Sequence, residues 1–428
     1  MYDKLKGYEE SGKAIRVGAT GAGWMGSGFV AAVKNVPAME VSILADEDPG
    51  LAKKVFIELG GIAGEDIVET HKPGEAADAV NAGKRVVTGD ITLASQIDPI
   101  DIVTDVTPSP ASGAETAFAA IQNGKPVVLI NIEADVTVGP ALKAEASKAG
   151  VMYTVSSGDE PGCLMELWDF VRSLGYEPIV IGKGKNNPLN PDATPDAVRE
   201  SAEKADKDPF QVASYVDGTK TMFEMSCVAN ATGCRPMQPG MTGPEADTDT
   251  VTEIFALQED GGMTPFPGVV DFVQGKAMSG GVFITVRIPD ARIRADLQYL
   301  KMGKGAYSTF FRPYHLWFLE APISIARAFF YNESTLVPFD KPVADVATVA
   351  KKDLAAGDTL EAFGGYTFFG RMDVKEECVK TKALPVGLAP GAKVTKPVKK
   401  GAIITWDHVE LDEDRTIVKL RRKQDRLQ

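Results

Sequence analysis

Histidine is scarce in this chain: His71, His315 and His408 are the three among 428 residues, and they do not cluster. A histidine-rich metal site is therefore excluded, and any bound metal is expected to be a hard cation held by oxygen. Cysteine is nearly as rare. Cys163, Cys227, Cys234 and Cys378 form no C-x-x-C pair, which argues against a structural zinc, and a chain this long needs no disulfide staples. No apolar run reaches the roughly 18 residues of a membrane-spanning helix. The opening segment MYDKLKGYEESGK has no apolar centre, so a secretory leader is not expected and a cytoplasmic location is. Basic charge is in deficit, 46 Lys and Arg against 59 Asp and Glu, for a formal net charge of −13. Such a surface repels nucleic acid, and the single basic run, KLRRKQDRLQ at the C-terminus, reads as a solvated tail.

What is present is a globular composition, 44% hydrophobic and 25% charged, in a chain long enough for more than one core. Strands are expected at Ile15–Thr20, Val41–Asp46, Arg85–Thr88, Asp101–Asp105, Pro126–Ile130 and Val151–Ser156. Helices are expected between them at Gly26–Asn35, Pro49–Leu59, Ala111–Asn123 and Gly139–Ala149. Short apolar runs that do not alternate with polar residues suit strands buried on both faces. Strand-helix repetition implies an α/β fold with a doubly wound parallel sheet of the Rossmann type. The character changes after Gly162, where CLMELWDFVRSLG reads as a helix and EPIVIGKGK as a strand. Asn186–Asp208 reads as a long loop, Val212–Ala231 as a helix, and GGVFITVRI as a strand. The segment YHLWFLEAPISIARAFF is apolar nearly all round and reads as a core helix, a candidate to pack back on the first domain. The last 90 or so residues contain two related stretches, VAKKDLAAGDTLE and KVTKPVKKGAIITWD, in a turn-rich β context. Three domains are expected: 1–160, α/β; 161–340, an α+β domain for substrate and oligomerisation; and 341–428, small and β-rich.

The motif Gly21-x-Gly23-x-x-Gly26 follows a strand and opens a helix. In that context the first glycine makes the tight turn, the second lets the backbone approach a pyrophosphate, and the third lets helix and sheet close. The helix N-terminus favours an anion, and Trp24 and Met25 lie inside the loop. Asp46 ends the next strand, where an acid meets the ribose hydroxyls. The acidic run Asp46-Glu47-Asp48 has no arginine beside it and favours NAD over NADP, although Lys53 and Lys54 follow one turn later. The nicotinamide end is expected at later strand ends, near Thr107, Pro108 and Asn131.

Carboxylates gather at the same edge: Glu133 in NIEAD, and Asp159 and Glu160 in SSGDEPG. They suit general acid-base work or a cation of the magnesium type, and each singly also suits a helix cap, Asp159 most of all. Lys183 and Lys185 in IGKGKNNP can hold an oxyanion or pass a proton to a carbonyl being reduced; two solvated turn lysines are the plain alternative. Lys301, Lys304, Arg312 and His315 are candidates to bind a phosphate or carboxylate of a substrate.

Several segments together resemble the homoserine-dehydrogenase-like oxidoreductases that carry a C-terminal SAF domain, of the DXP-reductoisomerase-like (DRL) type: GAGWMGSGF, NIEADVTVGP, SSGDEPG, IGKGKNNP, FFRPYHL, KKDLAAGDTLEAFGGYTFFG and LPVGLAPGAKVTKPVKKGAIITWDHVEL. The resemblance implies an SAF domain at 341–428, a homo-oligomer (dimer or tetramer), a small-molecule substrate and a site between the first two domains. It also implies rearrangement of 1-deoxy-D-xylulose 5-phosphate and reduction by NADPH with Mg²⁺ or Mn²⁺, giving 2-C-methyl-D-erythritol 4-phosphate, a step of isoprenoid biosynthesis. In that reading Glu133, Asp159 or Glu160 lie near the cation, Lys183 or Lys185 steadies the alkoxide, and Arg312 with Lys301 or Lys304 anchors the phosphate. Relatives often carry an arginine where this chain has Glu47. Two alternatives stand beside it: an NAD-dependent dehydrogenase or oxidoisomerase of sugar acids, polyols or homoserine-like substrates, and a non-catalytic dinucleotide sensor.

Overall fold

The six short apolar runs expected near the N-terminus become strands, and a seventh that was not expected, Ile67–Glu69, joins them: β1 (Ile15–Thr20), β2 (Met39–Ala45), β3 (Ile67–Glu69), β4 (Arg85–Thr88), β5 (Ile102–Asp105), β6 (Val127–Leu129) and β7 (Tyr153–Val155). In this computed structural model, which describes residues 1–303 and 305–426, they form one sheet of order β3-β4-β2-β1-β5-β6-β7. Every neighbouring pair is parallel, so the fold is the doubly wound α/β type. Strand order reverses at β1, between β2 and β5, and a crevice belongs outside the carboxyl ends there.

The chain divides into two compact units. Unit one comprises Met1–Gly162, Leu316–Asp340 and the chain from Asp414 on; unit two comprises Cys163–His315 and Lys341–Glu413. The stretch 341–413, read from sequence as part of a third domain, thus falls within unit two. The core of unit one joins Val17, Phe29, Leu44 and Val128 to Ala321, Ile325 and Ala326.

Two readings of the C-terminal half are corrected in unit one. The stretch 314–330 is not one core helix. Trp317–Leu319 is a single 3₁₀ turn, the α-helix is Ala321–Tyr331 with proline in its first turn, and Tyr314, Leu316, Leu319 and Ile323 are exposed. A proline there is a start signal, not an interior residue. The basic tail is not solvated either. Thr416–Arg426 is a helix that packs on the helices Pro110–Gln122 and Ile132–Ala149, burying Ile417, Leu420, Arg421 and Gln424. Pro140 lies inside the helix Ile132–Ala149 and brings no N–H to its ladder. The C-terminal helix supplies what the break leaves: Gln424 accepts from Ala141 N at 3.2 Å, and Arg421 donates to Thr137 O at 3.2 Å.

In unit two, β8 (Glu177–Lys185), β9 (Val269–Gln274), β10 (Val282–Arg287) and β11 (Tyr307–Arg312) make a mixed sheet of order β11-β10-β8-β9. The expected loop Asn186–Asp208 contains a helix, Pro195–Lys204. The expected helix Val212–Ala231 is two, Pro209–Val216 and Thr219–Thr232, broken at Asp217-Gly218, where Gly218 takes φ +91°. The related stretches at 349–361 and 393–407 face each other antiparallel, with bridges Val349–Ile403, Leu354–Val398 and Thr359–Lys393. Their hydrogen bonds repeat about a local two-fold: Gly357 N to Val394 O at 2.8 Å is matched by Gly401 N to Ala350 O at 2.8 Å. The strands β12 (Ala344–Ala350) and β13 (Phe368–Val374) pair beside them.

Candidate functional site

In unit one the loop after β1 turns on Gly21, whose φ of +103° favours glycine. Gly26 lies under it, and a Cβ there would collide with the Gly21 carbonyl oxygen. Gly23 is the N-cap of the helix Trp24–Val33 and has open space where a Cβ would stand, the property a pyrophosphate cradle needs. Asp46 is locked onto the loop: its carboxylate accepts from Ala22 N at 2.7 Å and from Asp48 N at 3.0 Å. Asp48 caps the following helix through Gly50 N at 2.9 Å. Beside these residues, between the ends of β3 and β4, a cleft of about 530 Å³ is lined by Thr70, His71, Thr88, Asp90 and Pro49. These residues fit a dinucleotide. Met25 packs against the core, and Trp24 is exposed, with its ring edge-on to Trp317 at 5.2 Å.

Across the crevice the chain leaving β5 is organised by Asp105, which is fully buried. Its carboxylate accepts from Thr107 Oγ1 (2.8 Å), Thr107 N (3.1 Å), Ser112 Oγ (3.0 Å) and Asn131 Nδ2 (2.9 Å). Burial pushes this carboxyl up to about 6, against the pull of its hydrogen bonds. Thr107 and Asn131 are thereby fixed to one another, while Pro108 between them is exposed. Asn131 is also the N-cap of the helix Ile132–Ala149, accepting from Ala134 N at 2.9 Å. That helix starts seven residues earlier than expected from Gly139, so Glu133 lies in its first turn, buried, not in a loop. Asp159 and Glu160 follow β7, both buried, with Glu160 opening the helix Glu160–Ser173. All three acids sit at the carboxyl edge of the sheet.

Unit two carries the lysines. Lys183 and Lys185 lie on β8 with residue exposures of 5% each, so neither is a solvated turn residue. The glycines that precede each lysine are required, because a Cβ at Gly182 would meet Asp271 O and one at Gly184 would meet Met278 O. Lys183 pairs with Glu224 of the helix Thr219–Thr232. Lys185 donates to Tyr215 O at 2.6 Å, and burial first, then the Lys183 charge, push its ammonium down to about 8. One step further out, Lys351 is buried and gives its protons to Asp217 Oδ2 (2.7 Å), Ala193 O (2.6 Å) and Gly365 O (2.9 Å).

The expected anion-binding group fares differently. Arg312 ends β11 and is engaged with Glu166 at 3.1 Å and with the Tyr314 ring at 4.7 Å. His315 Nδ1 faces Gly280 O at 2.8 Å, and Lys301 is an exposed turn residue with φ +61°. Lys304 lies outside the described residues. Sequence reasoning gave no site role to Asp105, Glu224 and Phe318. The first was signalled by an acid at a strand end before Thr-Pro, and the second by a lone acid in an apolar helix. Phe318 had no signal; its ring fills the place where a Cβ at Gly28 would stand.

Among known families, residues 158–321 match oxidoreductase DRL, catalytic domain. By that match the chain carries an oxidoreductase catalytic domain and is an enzyme. No curated protein matches the chain. Among solved structures, a probable dehydrogenase from Thermotoga maritima superposes with a TM-score of 0.43 at 14% identity, covering 74% of this chain and 90% of that one. A myo-inositol dehydrogenase from Corynebacterium glutamicum gives 0.42 at 11% identity, covering 75% and 90%. The 3-ketoreductase KijD10 from Actinomadura kijaniata gives 0.38 at 15% identity, covering 75% and 91%. Among the described residues no helix is long and apolar enough to cross a membrane.

Proposed function

We propose that the chain interconverts a carbonyl and a carbinol on a small, polar, polyhydroxylated substrate. The carrying observation is the glycine loop at the strand-order switch, with Asp46 hydrogen-bonded into it. A bound nicotinamide dinucleotide supplies or accepts the hydride. The chain's own residues do the rest. Gly21, Gly23 and Gly26 with the N-terminus of the helix Trp24–Val33 hold the pyrophosphate, Asp46 takes the ribose hydroxyls, and Thr107 and Asn131 line the far side of the crevice. The buried lysines of β8 lie within the stretch that matches an oxidoreductase catalytic domain. They are the groups to steady charge on the substrate oxygen.

The finer reading is the reductoisomerase, with 1-deoxy-D-xylulose 5-phosphate as substrate and a divalent cation near Glu133, Asp159 or Glu160. Against it stands plain oxidation of a sugar acid or polyol with NAD, favoured by Asp46 and Glu47. A dinucleotide sensor would need the loop but no buried lysine pair. Protein fluorescence titrated with NADH and NADPH is the first test, and binding of neither overturns the proposal. Turnover of 1-deoxy-D-xylulose 5-phosphate with Mg²⁺ or Mn²⁺, beside a panel of polyols, sugar acids and homoserine, then decides the finer reading. Light scattering reads the oligomeric state, for which a dimer or tetramer is expected.

A further inference from the structure

We propose that the two lysines of β8 are not equivalent: Lys185 carries the proton, and the Lys183–Glu224 pair is the fixed charge that sets it. The proposal rests on the oxidoreductase reading for its substrate and on unit two alone for its geometry.

Residues 183 and 185 are two apart on a strand, so both side chains leave the same face. On the other face Gly182 and Gly184 are pressed against the carbonyl oxygens of Asp271 and Met278. Their partners differ in kind. Lys183 meets a carboxylate, and both ends of that pair are buried, at 5% and 2% exposure. Removing its proton would strand a buried anion, so Lys183 stays a cation. Lys185 meets the Tyr215 carbonyl, which accepts most strongly from an ammonium but still accepts from a neutral amine. Its proton can therefore leave without breaking its hydrogen bond.

The charges around Lys185 oppose one another, and burial tips the balance downward. Lys183 repels its proton, Glu224 and Asp217 attract it, and both acids are already committed, to Lys183 and Lys351. When a substrate carbonyl is reduced at carbon, its oxygen becomes an alkoxide. Lys185 Nζ gives that oxygen one proton and is left as a neutral amine, which recovers a proton from water. In the oxidative direction the amine takes the hydroxyl proton as hydride leaves the carbon.

The test uses the full chain without substrate or cofactor. Each lysine is pulsed with acetic anhydride between pH 6 and 10, and acetylation is read residue by residue by mass spectrometry. Lys185 is expected to reach half-maximal reactivity near pH 8, against about 10.4 for an ordinary lysine. In Lys183→Met the midpoint rises, and labelling of Lys185 at pH 7.5 falls at least about threefold, as for an upward shift of half a unit or more. Glu224→Gln, a second variant that keeps Lys183, moves it the other way. A midpoint at the ordinary value, the same midpoint in both variants, or Lys183 titrating before Lys185 overturns the proposal. So does an absence of labelling at every pH, since an amine closed to so small a carbonyl reagent cannot serve a substrate. Dinucleotide binding is measured separately, so failure of the oxidoreductase reading leaves a distinct signature.

Discussion

Replacing Asp105 by asparagine isolates the charge at the centre of the crevice while keeping its shape. The asparagine carbonyl can take the place of Oδ1, accepting from Thr107 and Asn131, and its amide can donate to Ser112 Oγ. In the parent the carboxyl sits at about 6 in the fold against 3.8 as its ordinary value. The folded state therefore binds the proton more tightly. The contribution of this group to stability is full below pH 3.8 and is lost as pH climbs through about 6. The whole shift corresponds to about 3 kcal/mol, and the part falling between pH 5 and 7.5 to about 1.4 kcal/mol. The Asp105→Asn variant has no such loss, so its stability relative to the parent should improve by about 1.4 kcal/mol between those two pH values. Urea unfolding at each pH, read by hydrogen exchange in the peptide spanning β5, measures this locally. An unchanged difference between variant and parent at the two pH values would refute the reasoning, because it would mean that Asp105 ionises in the fold as it does in water.

The remaining predictions concern packing and pairing. Gly26→Ala pushes a methyl into the Gly21 carbonyl and should weaken NADH binding at least about tenfold, as fluorescence titration would show, with stability reduced by about 1–3 kcal/mol. Gly28→Ala collides with the Phe318 ring, so its destabilisation should be partly relieved in the Gly28→Ala/Phe318→Leu double variant; strict additivity in thermal unfolding would exclude that contact as the cause. Lys351→Met leaves Asp217 buried without its cation and should cost about 3–5 kcal/mol near neutral pH. The cost should shrink on acidification as Asp217, already pushed up by burial, takes a proton; a pH-independent loss would argue against the ion pair.

Much of the candidate site was legible because it depends on local geometry. A glycine that must turn with positive φ, one that must admit a helix and an acid at the next strand end are each properties of a few neighbouring residues, and Gly21, Gly26 and Asp46 occupy those roles. The internal duplication was legible for the same reason, since Gly357 and Gly401 make matching turns. The lysines of β8 stood out by spacing, but their burial did not, and the acid that pairs with one of them stood out only as unusual in an apolar helix. Glu224 lies 41 residues from Lys183 in sequence, and nothing near either residue encodes the other.

The sequence by itself determined the parallel sheet, the loop after its first strand and the acid that meets that loop, because apolar runs and glycines act within one strand-turn-helix unit. Tertiary structure alone decided the fate of the charged residues. A basic C-terminal run became a helix with one face buried, where Arg421 and Gln424 satisfy backbone groups that Pro140 left open in another helix. Arg312 was drawn to Glu166, and Lys183 and Lys185 were separated into one lysine paired with a carboxylate and one hydrogen-bonded to a carbonyl. Charge has no preferred position along a chain. Its role follows from the partner that folding brings within reach and from the water that folding takes away.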